Sequence, residues 1–336
     1  MTDRATLLTD FIARAGWQDA TRLTIAGDAS NRRYERLRAA DGSTRILMDA
    51  APDKNDSIRP FIRIADHLRS VGLSAPEIYE QDEAHGLLLI EDLGEDLYKT
   101  VIARDPALEV PLYEASVDVL TALHAVPPPE LYPYDTPIMT TYAALPFDWY
   151  LRGITGAADP DAKATFELAM AALLAPLEAM PQVLVQRDYH AENLLWLPER
   201  AGIARVGLLD FQDAMSGHPA YDLVSILQDA RRDVHPDIEQ AMIARYLEQN
   251  PQDEASFRAA YAILGVQRNL RIVGLFAKLC LIDGKGRYID LIPRVWEFVE
   301  RNLAHPALAP VANHIRATLP APTPDILAKL KSQCPT

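Results

Sequence analysis

Residues 186–193 read Gln186-Arg187-Asp188-Tyr189-His190-Ala191-Glu192-Asn193, and residues 209–213 read Leu209-Asp210-Phe211-Gln212-Asp213. Apolar strand-like runs lead into both, over 183–186 and 205–209, with a further run at 194–197. Asp188 and Asp210 therefore sit at strand ends rather than on helix faces. An Asp, an Asn five positions later and a second Asp on the next strand form an oxygen-rich set. One carboxylate suits the proton of an attacking hydroxyl, while the amide and the second carboxylate suit magnesium held against nucleotide phosphates. No soft-metal set accompanies them. An acidic loop that merely caps helices would not account for two strand-end carboxylates and an Asn.

Outward from this loop, the chain changes texture near Glu91-Asp92-Leu93-Gly94. Before it, the spacing predicts a helix over 4–15 and an antiparallel meander of strands at 22–26, 34–38 and 44–49. A helix at 58–71 and strands at 77–80 and 86–90 follow. After it, helices are expected at 110–125, 159–179, 218–231, 235–248, 254–280, 288–303 and 306–318. The Pro-rich stretch 127–137 reads as a surface crossing, and the tail beyond Pro320 as loosely held. Strands segregated from helices argue an α+β fold, with a ligand cleft expected between a β-rich and a helical lobe.

Composition narrows the class. The 336 residues are 49% hydrophobic and 24% charged, which is ordinary for a globular chain. Asp and Glu number 47 against 33 Lys and Arg, a net −14, which disfavours nucleic acid or an anionic membrane as partner. No apolar run approaches the ~20 residues of a membrane span, and the acid-bearing N-terminus is no secretory signal. A cytoplasmic protein is expected. The two cysteines, Cys280 and Cys334, make no disulfide framework, and Cys280 reads as a plain buried thiol.

The loop pattern resembles the aminoglycoside-phosphotransferase branch of the protein-kinase-like fold. Asp188 to Asn193 matches that family's catalytic loop, and Asp210 matches its second metal-binding Asp. Lobe order, hinge position and loop spacing extend the resemblance over nearly the whole chain. It implies a bilobal α+β protein with a nucleotide-binding lobe at 1–91 and a helical lobe at 92–336 that carries the catalytic loop and the sugar-binding region. ATP and Mg2+ would be the cofactors, Asp188 the general base, and Asn193 and Asp210 the metal ligands. A narrower likeness, to the anomeric sugar kinases of cell-wall recycling, rests on several segments. These are Gly27-Asp28-Ala29-Ser30, Arg32-Arg33-Tyr34, Met48-Asp49-Ala50, Leu209 to Ala214 and Tyr221-Asp222-Leu223-Val224-Ser225. Phe147-Asp148-Trp149-Tyr150-Leu151 and Gln267-Arg268-Asn269-Leu270 also fit. That likeness implies phosphorylation of the 1-hydroxyl of N-acetylmuramate and N-acetylglucosamine. Another small hydroxyl acceptor (aminoglycoside, choline or homoserine) and a nucleotide-binding pseudokinase are the rival readings.

Departures shape the candidate site. Gln186 stands two before the base, where many kinases have His. The third strand ends Ile46-Leu47-Met48-Asp49 without the family's lysine, and the helix after it carries Asp66 as its only acid. Phosphoryl transfer needs positive charge beside the metal, so Lys54, Arg32 or Arg33 is expected to supply it from a loop. The nucleotide set is then Ser30, Asn31, Arg32, Met48, Lys54, Glu91 and Leu93, with backbone N–H groups of 27–31 over phosphates and main chain of 91–93 facing adenine. His190, Glu192, Asp213, Trp149, Arg268 and Arg271 are candidates for the sugar. His190 is expected to bond locally, and Asp222 to cap a helix or brace the loop. Trp149 and Phe147 are candidates to stack on a sugar face. Residues 255–301 hold eight basic side chains against four acidic ones, which suits a neutral or carboxylate-bearing sugar better than a polycation.

Overall fold

The computed structural model of the chain describes residues 3–25, 32–55 and 57–335. In chain order the first elements are α1 (Arg4–Arg14), β1 (Thr21–Ile25), β2 (Arg33–Arg38), β3 (Thr44–Asp49), α2 (Arg59–Ser70), β4 (Ile78–Asp82) and β5 (Leu87–Glu91). Then come α3 (Tyr98–Arg104), α4 (Glu109–His124), α5 (Thr136–Ala143), α6 (Arg152–Thr155), α7 (Pro160–Glu178) and the short strands β6 (Val183–Val185), β7 (Leu194–Trp196), β8 (Val206–Leu208) and β9 (Met215–Gly217). The chain ends in α8 (Ala220–Leu227), α9 (Pro236–Gln249), α10 (Glu254–Asp283), α11 (Ile292–Leu303), α12 (Ala309–Thr318) and α13 (Pro324–Lys331). Two compact units result, Met1–Val119 with Glu192–Ala214, and Leu120–Ala191 with Met215–Thr336.

The first unit is built on an antiparallel sheet in the order β1-β2-β3-β5-β4. Its alternation sorts the strands by face. Leu37, Leu47, Leu87 and Leu89 form one core with Phe11 and Ile12 of α1. The other face carries Tyr34 opposite Met48, and Met48 opposite Leu88. Phe61 of α2 packs on Phe211, ring centroids 4.9 Å apart, so the residue after Asp210 is anchored in apolar surroundings. β7 and β8 pair antiparallel, Leu194 opposite Leu208.

The second unit centres on α10, whose 30 residues pack against α5, α8 and α11. Asp253 caps its first turn by accepting from the Ser256 N–H at 2.7 Å. Gly284 in the left-handed conformation ends it, φ 68°. A buried polar knot fixes its neighbours. Gln228 Oε1 accepts from Asn269 Nδ2 (2.7 Å) and Asn302 Nδ2 (2.8 Å), and Glu239 accepts from Tyr261 at 2.8 Å.

The segregated α+β architecture stands as expected, and the long helices fall close to their predicted spans. Four local expectations change. The strand at 183–185 pairs not with its sequence neighbour but with β9, a strand the sequence hides in Met215-Ser216-Gly217. Helices α3 and α5 and a π-helical turn at Phe147–Leu151 are additional. The tail is held: α13 buries Leu330 completely, Gln333 Nε2 donates to the Gly153 carbonyl at 2.6 Å, and Lys331 pairs with Asp290. Cys280 is no lone thiol, because it forms a disulfide with Cys334 across 54 residues of chain. No helix among the described residues is long and apolar enough to cross a membrane.

Candidate functional site

Two non-glycine residues among those described have positive φ, Arg187 (72°) and Asp210 (57°). Left-handed backbone costs an L-residue ~1–2 kcal/mol and persists where surroundings over-determine it. Here it falls immediately before one key Asp and at the other.

In the second unit the surroundings of Arg187 are explicit. The fully buried Asp222 of α8 accepts the Gln186 N–H at 2.6 Å and the Arg187 N–H at 2.9 Å. Ser225 Oγ donates to the Arg187 carbonyl at 3.3 Å. Asp229 accepts the Ala191 N–H at 3.3 Å and the Arg231 N–H at 2.9 Å. One carboxylate thus grips the loop just before Asp188 and another just after it. Asp222 braces the loop, one of the two roles expected for it. Burial pushes its carboxyl up to about 7 against the pull of those two N–H groups and Arg268. Gln186 contributes through its backbone, since its buried side-chain Nε2 has no hydrogen-bond partner.

Asp188 is half-buried. Burial works to raise its carboxyl, but Arg271, His190, Arg268 and Arg187 together hold it below the usual carboxylate range. The structure therefore brings Asp188, His190, Arg268 and Arg271 into one electrostatic neighbourhood. Burial keeps the His190 imidazole below its ordinary value, with the charge of Asp229 opposing. Arg271 donates to the Tyr221 hydroxyl at 3.3 Å and lies 5.4 Å over the Tyr142 ring. Arg187 lies 5.4 Å over the Tyr134 ring, and the Tyr134 and Tyr221 hydroxyls are 3.2 Å apart. Trp149 is half-buried under Lys278, 5.6 Å from the ring centroid. Phe147 is buried core against Phe166, centroids 5.2 Å apart, which removes it as a sugar-stacking surface.

In the first unit Asn193 and Asp210 meet, Asn193 Nδ2 to Asp210 Oδ2 at 3.4 Å, on strands joined where the Leu209 N–H donates to the Asn193 carbonyl at 3.0 Å. Asp210 is exposed, and Gln212 Nε2 steadies its other oxygen at 2.8 Å. A carboxylate and an amide oxygen that leave room for water are a donor set that fits magnesium, a hard cation that keeps part of its hydration shell. Tyr34 joins this corner: burial raises its phenol, while a hydrogen bond with Arg32 and the charge of Asp210 also act on it. Arg32 and Tyr34 share one face of the strand line, and Arg33 points the other way and is exposed.

The remaining expectations sort as follows. Lys54 lies exposed in the turn 52–54. Met48 is completely buried in the sheet. The Glu91 side chain pairs with Arg200, and its N–H donates to the Glu77 carbonyl at 2.8 Å, so that amide is committed within the sheet. Leu93 is buried. Arg36 clamps Asp92 at 2.6 Å, which fixes the segment after β5. Glu192 pairs with Lys99 at 2.7 Å, and Asp213 is exposed. Ser30 and Asn31 lie outside the described residues. Sequence reading quoted the segments that hold Gln212, Tyr221 and Ser225 without giving these residues a role, and it passed over Asp229, Tyr134 and Tyr142.

A family model described as "Phosphotransferase enzyme family" matches residues 21–260. A protein of Caulobacter vibrioides named N-acetylmuramate/N-acetylglucosamine kinase is 41% identical, covering 89% of this chain and 92% of that one. A Pseudomonas aeruginosa protein of the same name is 32% identical, covering 93% and 94%. The ADP-bound crystal structure of the aminoglycoside phosphotransferase APH(2'')-Ib superposes with a TM-score of 0.60 at 10% identity, covering 89% and 99%. That likeness shows the protein-kinase-like fold.

Proposed function

Since the chain belongs to the phosphotransferase enzyme family, we propose that it transfers the γ-phosphoryl group of ATP to the anomeric hydroxyl of N-acetylmuramate or N-acetylglucosamine. The sugar 1-phosphate would form in the cytoplasm during cell-wall recycling. Residues 1–91 serve the nucleotide, and residues 92–336 carry the catalytic loop and the sugar. The observation that carries this reading is Asp188, kept ionised among guanidinium groups on a loop gripped at both ends. The substrate class follows the names of the two sequence relatives.

Phosphoryl transfer asks the protein for positioning and charge, because its transition state is loose. Asp188 orients the sugar hydroxyl and accepts its proton as negative charge moves toward phosphate. A base with a low pKa suffices, since deprotonation is late. Asn193 and Asp210 are the residues that would hold magnesium, which supplies charge neutralisation at the phosphates. The phosphate-facing cation is Arg32: it hydrogen-bonds Tyr34 in the electrostatic reach of Asp210, whereas Arg33 and Lys54 are exposed.

Incubation with ATP, magnesium and each N-acetyl sugar, followed by phosphorus NMR, is expected to show a phosphate coupled to the anomeric proton. An ester at another carbon, or turnover only with choline, homoserine or an aminoglycoside, would overturn the assignment. Arg32→Ala is expected to weaken Mg-ATP binding about 10- to 100-fold, as for the loss of a charge-assisted contact, with adenosine binding unchanged. Equal Mg-ATP affinity by calorimetry would remove Arg32 from the phosphate site.

A further inference from the structure

Arg268 stands in the middle of α10 with 4% of its surface exposed, and its Nε and Nη1 groups have no hydrogen-bond partner. Its charge nevertheless acts on Asp188, His190 and Asp222. A buried guanidinium with unpaired N–H groups is costly, and the fork of Nε and Nη atoms matches the two oxygens of a carboxylate.

Apart from Asp188, on which its charge acts, the acids that might serve as an internal partner are occupied. Both Asp222 oxygens accept backbone N–H groups of the catalytic loop. Both Asp229 oxygens do the same for Ala191 and Arg231. Glu239 holds Tyr261 and Arg301. The turn of α10 that carries the buried Arg268 is pinned through both its neighbours. Gln267 Nε2 donates to the Met139 carbonyl at 2.9 Å, and Asn269 Nδ2 to Gln228 at 2.7 Å. Arg271, the other candidate counter-charge, is already engaged by Tyr221 and Tyr142.

We propose that Arg268 is the carboxylate receptor of the acceptor site, binding the lactyl carboxylate of N-acetylmuramate while Asp188 addresses the anomeric hydroxyl of the same molecule. The proposal rests on the sugar-kinase reading and divides the labour between two arginines. Arg271, braced by tyrosines, sets the charge at the base, and Arg268 reads the substituent that N-acetylglucosamine lacks. The cationic surroundings of Asp188 would equally repel a polycationic acceptor.

The test pairs a ligand change with a residue change. Wild-type protein is expected to use N-acetylmuramate methyl ester about 10- to 100-fold less efficiently than the free acid, measured as kcat/KM. Arg268→Met is expected to erase that preference, raising KM for the acid about 10- to 100-fold more than it raises KM for N-acetylglucosamine, whose own change reports the charge that Arg268 places near Asp188. Should Arg268→Met fail to fold, Arg268→Lys keeps the charge without the fork and is expected to show a smaller loss confined to the acid. An ester used as well as the acid by wild-type protein overturns the receptor role and leaves the sugar-kinase reading standing. Equal losses for both sugars in Arg268→Met and Arg268→Lys mark Arg268 as a brace for the base and overturn it too. Turnover of neither sugar by wild-type protein removes both.

Discussion

The two groups of candidate residues, the Asp188 loop in the second unit and the Asn193–Asp210 pair in the first, are built to different standards. In the second unit the loop around Asp188 is fixed by backbone: buried carboxylates accept main-chain N–H groups on both sides of Asp188. In the first unit Asn193 and Asp210 rely on side chains, a 3.4 Å approach to one another and a 2.8 Å contact from Gln212, at an exposed carboxylate. The difference matches the role proposed for each group. A base must be aimed before the substrate arrives, since misplacement is expensive in rate. A magnesium ligand must stay adjustable, because the ion arrives hydrated and orders its own ligands.

The sharpest test of this contrast removes the base. Asp188→Asn keeps the shape and removes the proton acceptor, and kcat is expected to fall by about 10²–10⁴ at unchanged Tm. Retention of full activity would take Asp188 out of the chemistry. The pH profile of the unaltered protein adds a signed expectation. The reactive form is the carboxylate, and the Asp188 carboxyl is held below the usual range. The rate therefore gains nothing from this group as pH rises above ordinary carboxylate values, and any fall it causes on the acid side comes below them. An acid limb near neutral pH is expected only from the Asp222 brace, whose carboxyl is pushed up to about 7; if such a limb persists in Asp222→Asn, the base is not Asp188. Next in size is Asp222→Ala, which strands two buried N–H groups. At ~1–3 kcal/mol each, the loss is about 2–6 kcal/mol of stability by denaturant unfolding, and added magnesium is expected not to restore the lost activity. Magnesium rescue would erase the distinction between the halves.

What was legible in the sequence follows the same division. Asp188, Asn193 and Asp210 stood out because short-range order exposes them: an apolar strand, then a chemically useful side chain at its tip. The meander was equally readable from its strand-like runs and the turn residues between them, although β3 buries both faces, Leu47 on one and Met48 on the other. The brace was only half readable. Asp222 opens a helix, where an acid is expected for local reasons, and nothing nearby reveals that it serves residues 186 and 187. Asp229 acts through a contact made across 38 residues of chain. Strand β9 was missed because three residues, Met215-Ser216-Gly217, carry no period, and its pairing with β6 is imposed by tertiary packing. The C-terminal tail looked loose because its composition is polar, while its anchor is a disulfide partner 54 residues away.

Gln212 offers a finer probe of the adjustable half. It touches Asp210, not the site of proton transfer, so Gln212→Leu is expected to raise the magnesium requirement about 10- to 100-fold, as loss of an outer-shell partner does. Saturating magnesium should restore kcat. A defect in kcat that magnesium cannot repair would mean that the first unit is as rigidly specified as the second.

The smallest effect is expected at Lys99, and its smallness is informative. Lys99 meets Glu192, one residue before Asn193, at 2.7 Å, yet both side chains are substantially solvated. Exposed ion pairs contribute ~0–1 kcal/mol and are screened by salt. If Asn193 is positioned chiefly by the β7–β8 pairing, where Leu194 lies opposite Leu208, then Lys99→Met shifts Tm by no more than a few degrees. The magnesium requirement should stay within about threefold of the original value, and the small change in Tm should disappear at high salt. A salt-independent tenfold rise in that requirement would show that this surface pair aims Asn193. The metal-side half would then depend on a charge on the neighbouring residue rather than on its strands.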